Sequence, residues 1–136
     1  MRKFLIISHG RFASGIKSSV ELIAGEQENL IAIDAYEDGN KTIDRELEAA
    51  FGQAGAGDEF IVFTDITGGS VTNQVVRFSR LKNTHIIAGM NLPLLLEVLL
   101  ADPAQSLDET LHRAIEKARE HIVYVNEMMQ KQINND

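Results

Sequence analysis

Phe60-Ile61-Val62-Phe63-Thr64-Asp65-Ile66-Thr67-Gly68-Gly69-Ser70 is the stretch from which the architecture can be read. Its first four residues form an unbroken apolar run rich in β-branched and aromatic side chains, the pattern of a short strand buried on both faces. Gly68-Gly69 then permits a tight turn, and Ser70 is a good residue to open a helix. Val71, Val75 and Phe78 follow at spacings of three and four, one apolar helical stripe. Strand, tight loop and helix are therefore all legible within twenty residues.

The same unit recurs along the chain. Phe4-Leu5-Ile6-Ile7 is followed by the stripe Ile16, Val20, Ile23. Leu30-Ile31-Ala32-Ile33 is followed by Ile43, Leu47, Ala50, Phe51, and Ile86-Ile87-Ala88 supplies a fourth strand. Alternating strands and helices predict an α/β fold with right-handed crossovers. We expect an open, mostly parallel sheet of four strands in the order 2-1-3-4, with helices on both faces. The Gly-rich stretch Gly52 to Gly57 reads as a helix-to-strand loop. The last third reads as helical: Leu94 to Leu100 after Asn91-Leu92-Pro93, with proline in the first turn. A capping-box sequence, Ser106-Leu107-Asp108-Glu109, then opens a long helix with Leu107, Leu111, Ala114, Ile115, Ala118, Ile122 and Val125 on one face. Ile122-Val123-Tyr124-Val125 also fits an extra antiparallel edge strand, and both readings stay open.

Composition narrows the function. At 136 residues, 44% hydrophobic and 24% charged, the chain suits one self-supporting domain spanning residues 1–136. With 13 basic against 20 acidic residues its formal charge is −7, the wrong sign for wrapping nucleic acid. It has no cysteine, which excludes disulfide scaffolds, Cys-based zinc sites and thiol nucleophiles. The apolar run Leu92 to Leu96 stops at Glu97, far short of a bilayer span, and the four-residue run after Met1-Arg2-Lys3 is too short for a secretory leader. A cytoplasmic protein is expected, with no metal and no cofactor.

Open parallel sheets bind ligands beyond the carboxyl ends of their strands, where the strand order reverses. In the order 2-1-3-4 the first and third strands flank that point, so His9 and Asp65 should lie side by side at one rim. A carboxylate that accepts a hydrogen bond from one imidazole nitrogen fixes the tautomer and frees the other nitrogen as a nucleophile or base. Gly68-Gly69-Ser70 opens a helix whose free N–H groups and dipole favour an anion such as phosphate, with Thr67 and Ser70 adding hydroxyls. The combination suggests phosphoryl transfer through phosphohistidine. Each residue also has an ordinary use: a histidine at a strand end, an aspartate capping a loop, a serine capping a helix. The loop from Asp34 to Gly39 is acidic and shows no obvious ligand geometry. His85 begins a strand away from the rim, His112 and His121 lie off the apolar stripe of the last helix, and Met128-Met129 suits packing or an interface.

Ile6-Ile7-Ser8-His9-Gly10, Thr64-Asp65-Ile66-Thr67-Gly68-Gly69-Ser70 and Ala88-Gly89-Met90-Asn91-Leu92-Pro93, in this order and spacing, resemble the IIA domain of mannose-family sugar phosphotransferase systems. The resemblance runs from the first strand to the last helix. It implies that the phosphocarrier HPr delivers a phosphoryl group to His9 on Nε2, with Asp65 orienting the ring, and that a separate IIB component receives it on the way to the membrane IIC and IID components. Gly10, Thr67, Gly68, Gly69 and Ser70 are the candidates for phosphate contact. The family's dimers imply a homodimer, in some members made by exchanging a short C-terminal strand, for which residues 122–125 are the candidate here. Relatives often carry an aromatic residue at Ile66 and proline at Val71, a departure that bears on partner specificity rather than chemistry.

Alternatives from other classes fit less well. A phosphohistidine phosphatase or mutase wants Arg-His-Gly and a second histidine, where this chain has Ser8-His9-Gly10. A serine hydrolase wants Gly-x-Ser-x-Gly, and Ser70-Val71-Thr72 lacks the last glycine. A receiver-like regulator wants clustered carboxylates after its first strand. The phosphotransfer subunit of dihydroxyacetone kinase shares the histidine chemistry but not the Gly-Gly-Ser loop, and a regulatory phosphorelay stays open. The transported sugar is not legible.

Overall fold

In the computed structural model, which describes residues 1–39, 42–52, 55–78 and 83–135, four strands form one sheet: β1 (Arg2–His9), β2 (Leu30–Ala35), β3 (Glu59–Thr64) and β4 (Thr84–Ala88). All pairings are parallel and the order is β2-β1-β3-β4. The connecting helices are α1 (Phe12–Ala24), α2 (Asp44–Gly52) and α3 (Ser70–Phe78). These elements belong to a first compact unit, Met1–Leu92; α4 (Leu92–Leu99), α5 (Leu107–Glu120) and α6 (Val125–Asn135) form a second, Pro93–Asp136. Part of the predicted Gly52–Gly57 loop, residues 53 and 54, lies outside the described residues, and Gly52 itself ends α2.

The order follows from the buried runs. Leu5, Ile6 and Ile7 of β1, and Ile61, Val62 and Phe63 of β3, are fully buried, which only the central strands of a sheet covered on both sides can achieve. Alternate residues then face opposite ways. Leu5, Ile7, Ile33 and Val62 pack with Ile43 and Leu47 at α2 and with Val71 and Val75 of α3. β1 to β2 steps one way along the sheet, and β2 to β3 steps back past it. Right-handed crossovers therefore place α1, which packs on β1 and β2, on the face opposite α2. The stripe predicted for α1 is shorter than its periodicity suggests: Ala13 and Val20 are buried, whereas Leu22 and Ile23 are exposed at the helix's far end.

The second unit departs from the sequence reading at one place. α5 begins as foreseen, the Ser106 side chain accepting a hydrogen bond from the Glu109 N–H. Its apolar face ends at Ala118, however, because the helix stops at Glu120. Backbone N–H groups of His121 and Ile122 bond three residues back, to Ala118 and Arg119, tightening the last turn. Ile122 and Val125 therefore do not continue the α5 face. Ile122-Val123-Tyr124 is neither helix nor strand, consistent with the low helix propensity of a β-branched and aromatic run, and a new helix starts at Val125. Among the described residues, no helix is long and apolar enough to cross a membrane.

Candidate functional site

The sheet positions the site. β1 and β3 are neighbours, paired with Ile7 opposite Thr64, and beyond them the chain leaves in opposite directions towards β2 and β4. The gap between the two departing loops is the place where such sheets bind ligands. His9 closes β1 on one side of it, and Asp65 directly follows β3 on the other.

Strand alternation turns neighbouring residues to opposite fates. Ser8 points inward and is fully buried, where its Oγ accepts the Ala13 N–H at 2.7 Å and so caps α1. His9 points outward, its side chain 42% exposed. Gly10 has φ of +55°, a backbone conformation that suits glycine, and its N–H donates to the Ala35 carbonyl at 3.0 Å. Among the predicted phosphate-contacting residues, Gly10 thus has its amide engaged in the sheet rim.

Asp65 grips His9 twice through one oxygen. Oδ2 accepts the His9 backbone N–H at 2.8 Å and lies 2.7 Å from His9 Nδ1, while Oδ1 accepts the Ile66 N–H at 3.0 Å. Burial pushes the Asp65 carboxyl towards the neutral form, but the His9 backbone and ring hydrogen bonds outweigh it and hold the group below the ordinary aspartate range. An ionised Asp65 only accepts, so Nδ1 carries the proton and Nε2 is left as the free nitrogen. Nε2 faces Ser70 Oγ at 3.2 Å, at the first residue of α3. The loop between is braced: the buried Thr72 hydroxyl donates to the Ile66 carbonyl at 2.6 Å, and the Thr64 hydroxyl lies 2.7 Å from it. Gly68, with φ of +72°, makes the turn; Thr67 and Gly68 are exposed, and a Cβ on Gly69 would sit 3.7 Å from His9 Cε1.

The structure therefore brings His9, Asp65, Gly69 and Ser70 together. It also adds two residues that the sequence reading passed over, Tyr36 in the acidic loop after β2 and Gln74 of α3. Tyr36 holds φ of +65°, uncommon for a non-glycine residue and costing of order 1–3 kcal/mol. Its ring lies 5.5 Å from the His9 ring, and its hydroxyl is 2.9 Å from Ser70 Oγ. Buried Gln74 of α3 donates to that hydroxyl at 2.6 Å. The signal available was position alone: Tyr36 directly follows the strand that pairs with β1 at His9. Arg11, the basic residue nearest His9 in sequence, is paired with Glu37 through Nε. His85 lies in β4, opposite Ile61, and His112 and His121 are exposed in the second unit.

A nucleophilic imidazole nitrogen opposite a helix amino end is the geometry of a phosphoryl acceptor. The family model described as EIIA-man, PTS system fructose IIA component, matches residues 3–115. This chain belongs to that family of phosphotransferase-system IIA components. It is 29% identical over 133 residues to the fructose-specific EIIA component of Bacillus subtilis (strain 168), covering 96% of this chain and 91% of that one. It is 32% identical over 121 residues to the mannose-specific EIIAB component of Escherichia coli K12, 87% of this chain but 38% of that longer protein. A crystal structure from Klebsiella pneumoniae, described as a sugar phosphotransferase system permease, superposes with a TM-score of 0.87 at 36% identity, covering 94% and 93% of the two chains. Family membership places this IIA component in a sugar phosphotransferase system, as a phosphotransferase.

Proposed function

We propose that the chain acts as one phosphotransfer domain that accepts a phosphoryl group from phospho-HPr on His9 Nε2 and passes it to a IIB component. The observation that carries this reading is the pinning of His9 Nδ1 to Asp65 Oδ2 at 2.7 Å while Nε2, on a half-exposed side chain, faces Ser70. The Nε2 lone pair forms the new N–P bond as the bond from phosphorus to the donor histidine breaks, returning an electron pair to the donor nitrogen. His9 then carries positive charge, which Asp65 stabilises through the Nδ1–H bond. The amino end of α3, with the Ser70 hydroxyl, offers donors to the phosphoryl oxygens, and Gly69, whose N–H bonds to the Ile66 carbonyl at 3.4 Å, leaves room beside the ring. Thr67 and Gly68 line the exposed side of the same loop. Transfer between two histidines needs positioning and charge stabilisation more than covalent help, and an exposed imidazole suits a partner whose own histidine must reach it.

The EIIAB name of the Escherichia coli relative supports a IIB partner, because that protein carries both functions. Onward transfer would lead to membrane IIC and IID components, with this chain on the cytoplasmic side. A homodimer is supported by the second unit: residues 122–135 are all exposed, among them Ile122, Tyr124, Met129 and Ile133. Exposed apolar side chains gathered on one segment are the kind of surface that marks an interface. Sedimentation of the full chain against one ending at residue 121 tests this: the full chain should run as a dimer and the shorter one as a folded monomer.

The relay itself is tested by incubating the protein with phosphoenolpyruvate, enzyme I and HPr and weighing it intact. One acid-labile phosphoryl group is expected, lost in His9→Ala and kept when His85, His112 and His121 are replaced. A folded wild-type chain that takes up no phosphoryl group would exclude the relay.

A further inference from the structure

Five hydrogen bonds link a backbone amide beside α2 to the carboxylate beside His9. The Ile43 N–H donates to Gln74 Oε1 at 2.9 Å. That bond settles which end of the Gln74 amide is which, so Nε2 is the end that donates to the Tyr36 hydroxyl at 2.6 Å. The Tyr36 oxygen is thereby used as an acceptor, and its own proton is directed to Ser70 Oγ at 2.9 Å. The Ser70 proton is left to point at His9 Nε2, 3.2 Å away, and His9 Nδ1–H ends the chain at Asp65 Oδ2. A backbone N–H can only donate and a carboxylate can only accept, which fixes the two ends; with Nε2 as the lone-pair nitrogen the single Ser70 proton goes to His9, and the Tyr36 hydroxyl is then the donor to Ser70.

We propose that Tyr36, oriented by Gln74, is a positioning residue that holds the Ser70 hydroxyl as a donor towards His9 Nε2. The inference rests on the reading of His9 as the phosphoryl acceptor. Before transfer, Ser70 holds Nε2 as the lone-pair nitrogen of the ring. When phosphorus bonds to Nε2 that lone pair is consumed, and the Ser70 proton turns from nitrogen to the phosphoryl oxygens beside it, a donor held within reach of the transition state. Tyr36 never touches the phosphorus. Its left-handed backbone conformation, φ of +65°, keeps its hydroxyl between Gln74 and Ser70. An unconstrained serine hydroxyl would instead divide its proton among solvent and the local backbone.

The test is a double-mutant cycle with Tyr36→Phe and Ser70→Ala, measuring phosphoryl transfer from phospho-HPr in rapid-quench experiments. Phe keeps the ring that packs on the core and removes only the hydroxyl. Tyr36→Phe should slow transfer about three- to tenfold, the worth of one ordinary hydrogen bond, and should have no further effect in the Ser70→Ala background. A second readout is the 15N shift of His9 Nε2 in the unphosphorylated protein, which both single variants should move in the same direction, towards an unbonded lone pair. If Tyr36→Phe fails to fold, Gln74→Glu takes its place. A carboxylate there still accepts the Ile43 N–H but draws the Tyr36 proton away from Ser70. Wild-type rates, additive losses in the cycle, or an unmoved Nε2 shift would each overturn the proposal. Absence of phosphorylation in wild type, or its persistence in His9→Ala, would instead overturn the relay reading, and the nitrogen shifts would still report on the hydrogen-bond chain.

Discussion

Asp65→Asn should disable His9 without disturbing the sheet. In the native site three donors converge on the carboxylate: the His9 N–H and Nδ1–H on Oδ2, and the Ile66 N–H on Oδ1. An asparagine offers one oxygen and one NH2 group, so one of the two positions must oppose donor to donor. With the oxygen towards His9, the amide group faces the Ile66 N–H, and the ring keeps its tautomer but loses the negative charge that stabilises it when phosphorylated. With the oxygen towards Ile66, the NH2 group faces Nδ1, favouring the tautomer whose proton sits on Nε2, where phosphorus must bond. A hydrogen bond to a charged group is worth about 1.5–3 kcal/mol. At a factor of ten per 1.36 kcal/mol, transfer from phospho-HPr should slow roughly 10- to 150-fold, with the fold retained. Rapid-quench kinetics measure the rate, and long-range 1H–15N spectra report which nitrogen carries the proton. A variant that transfers within about twofold of wild type, with Nδ1 still protonated, would refute this account of Asp65.

The same carboxylate predicts a pH signature. Its folded-state pKa is lowered, so its contribution to stability is complete above the unfolded value of about 3.9 and is lost as pH falls through the folded value. The stability gap between wild type and Asp65→Asn should shrink as pH falls below about 4 in urea titrations; a gap that widens over that range would contradict the sign. Ser8→Ala removes the buried acceptor of the Ala13 N–H and should cost about 1–2 kcal/mol, lowering Tm by roughly 3–10 °C in calorimetry. Gly68→Ala places a side chain at φ of +72° and should cost about 1–2 kcal/mol. At Gly69 an added Cβ meets only ordinary contacts, 3.5 Å from the Ile66 carbonyl oxygen at the closest, so Gly69→Ala should change stability by less than about 0.5 kcal/mol. Equal losses at the two glycines would show that backbone conformation is not what separates them.

The four parallel strands, their order and the meeting of His9 with Asp65 were legible before any coordinates, because each follows from short-range information. A continuous apolar run signals a strand buried on both faces, and crossover handedness turns a succession of such strands into few arrangements. Once β1 and β3 are neighbours, the residues directly after them have to meet. The C-terminal segment was ambiguous for the opposite reason. The apolar spacing of Ile122 and Val125 fits the α5 stripe, while their β-branched character works against the helix, and local backbone preference decided the break after Glu120. Tyr36 and Gln74 were out of reach. They lie 38 residues apart in separate elements, and nothing in either local sequence marks them as a pair. Their meeting depends on the left-handed turn at Tyr36 and on the face that α3 presents beside β1. Periodicity and turn chemistry thus establish which strands are neighbours and which loops share a rim. The direction of each proton around His9 depends on distances of a few tenths of an ångström between side chains remote in sequence, and only packing sets those.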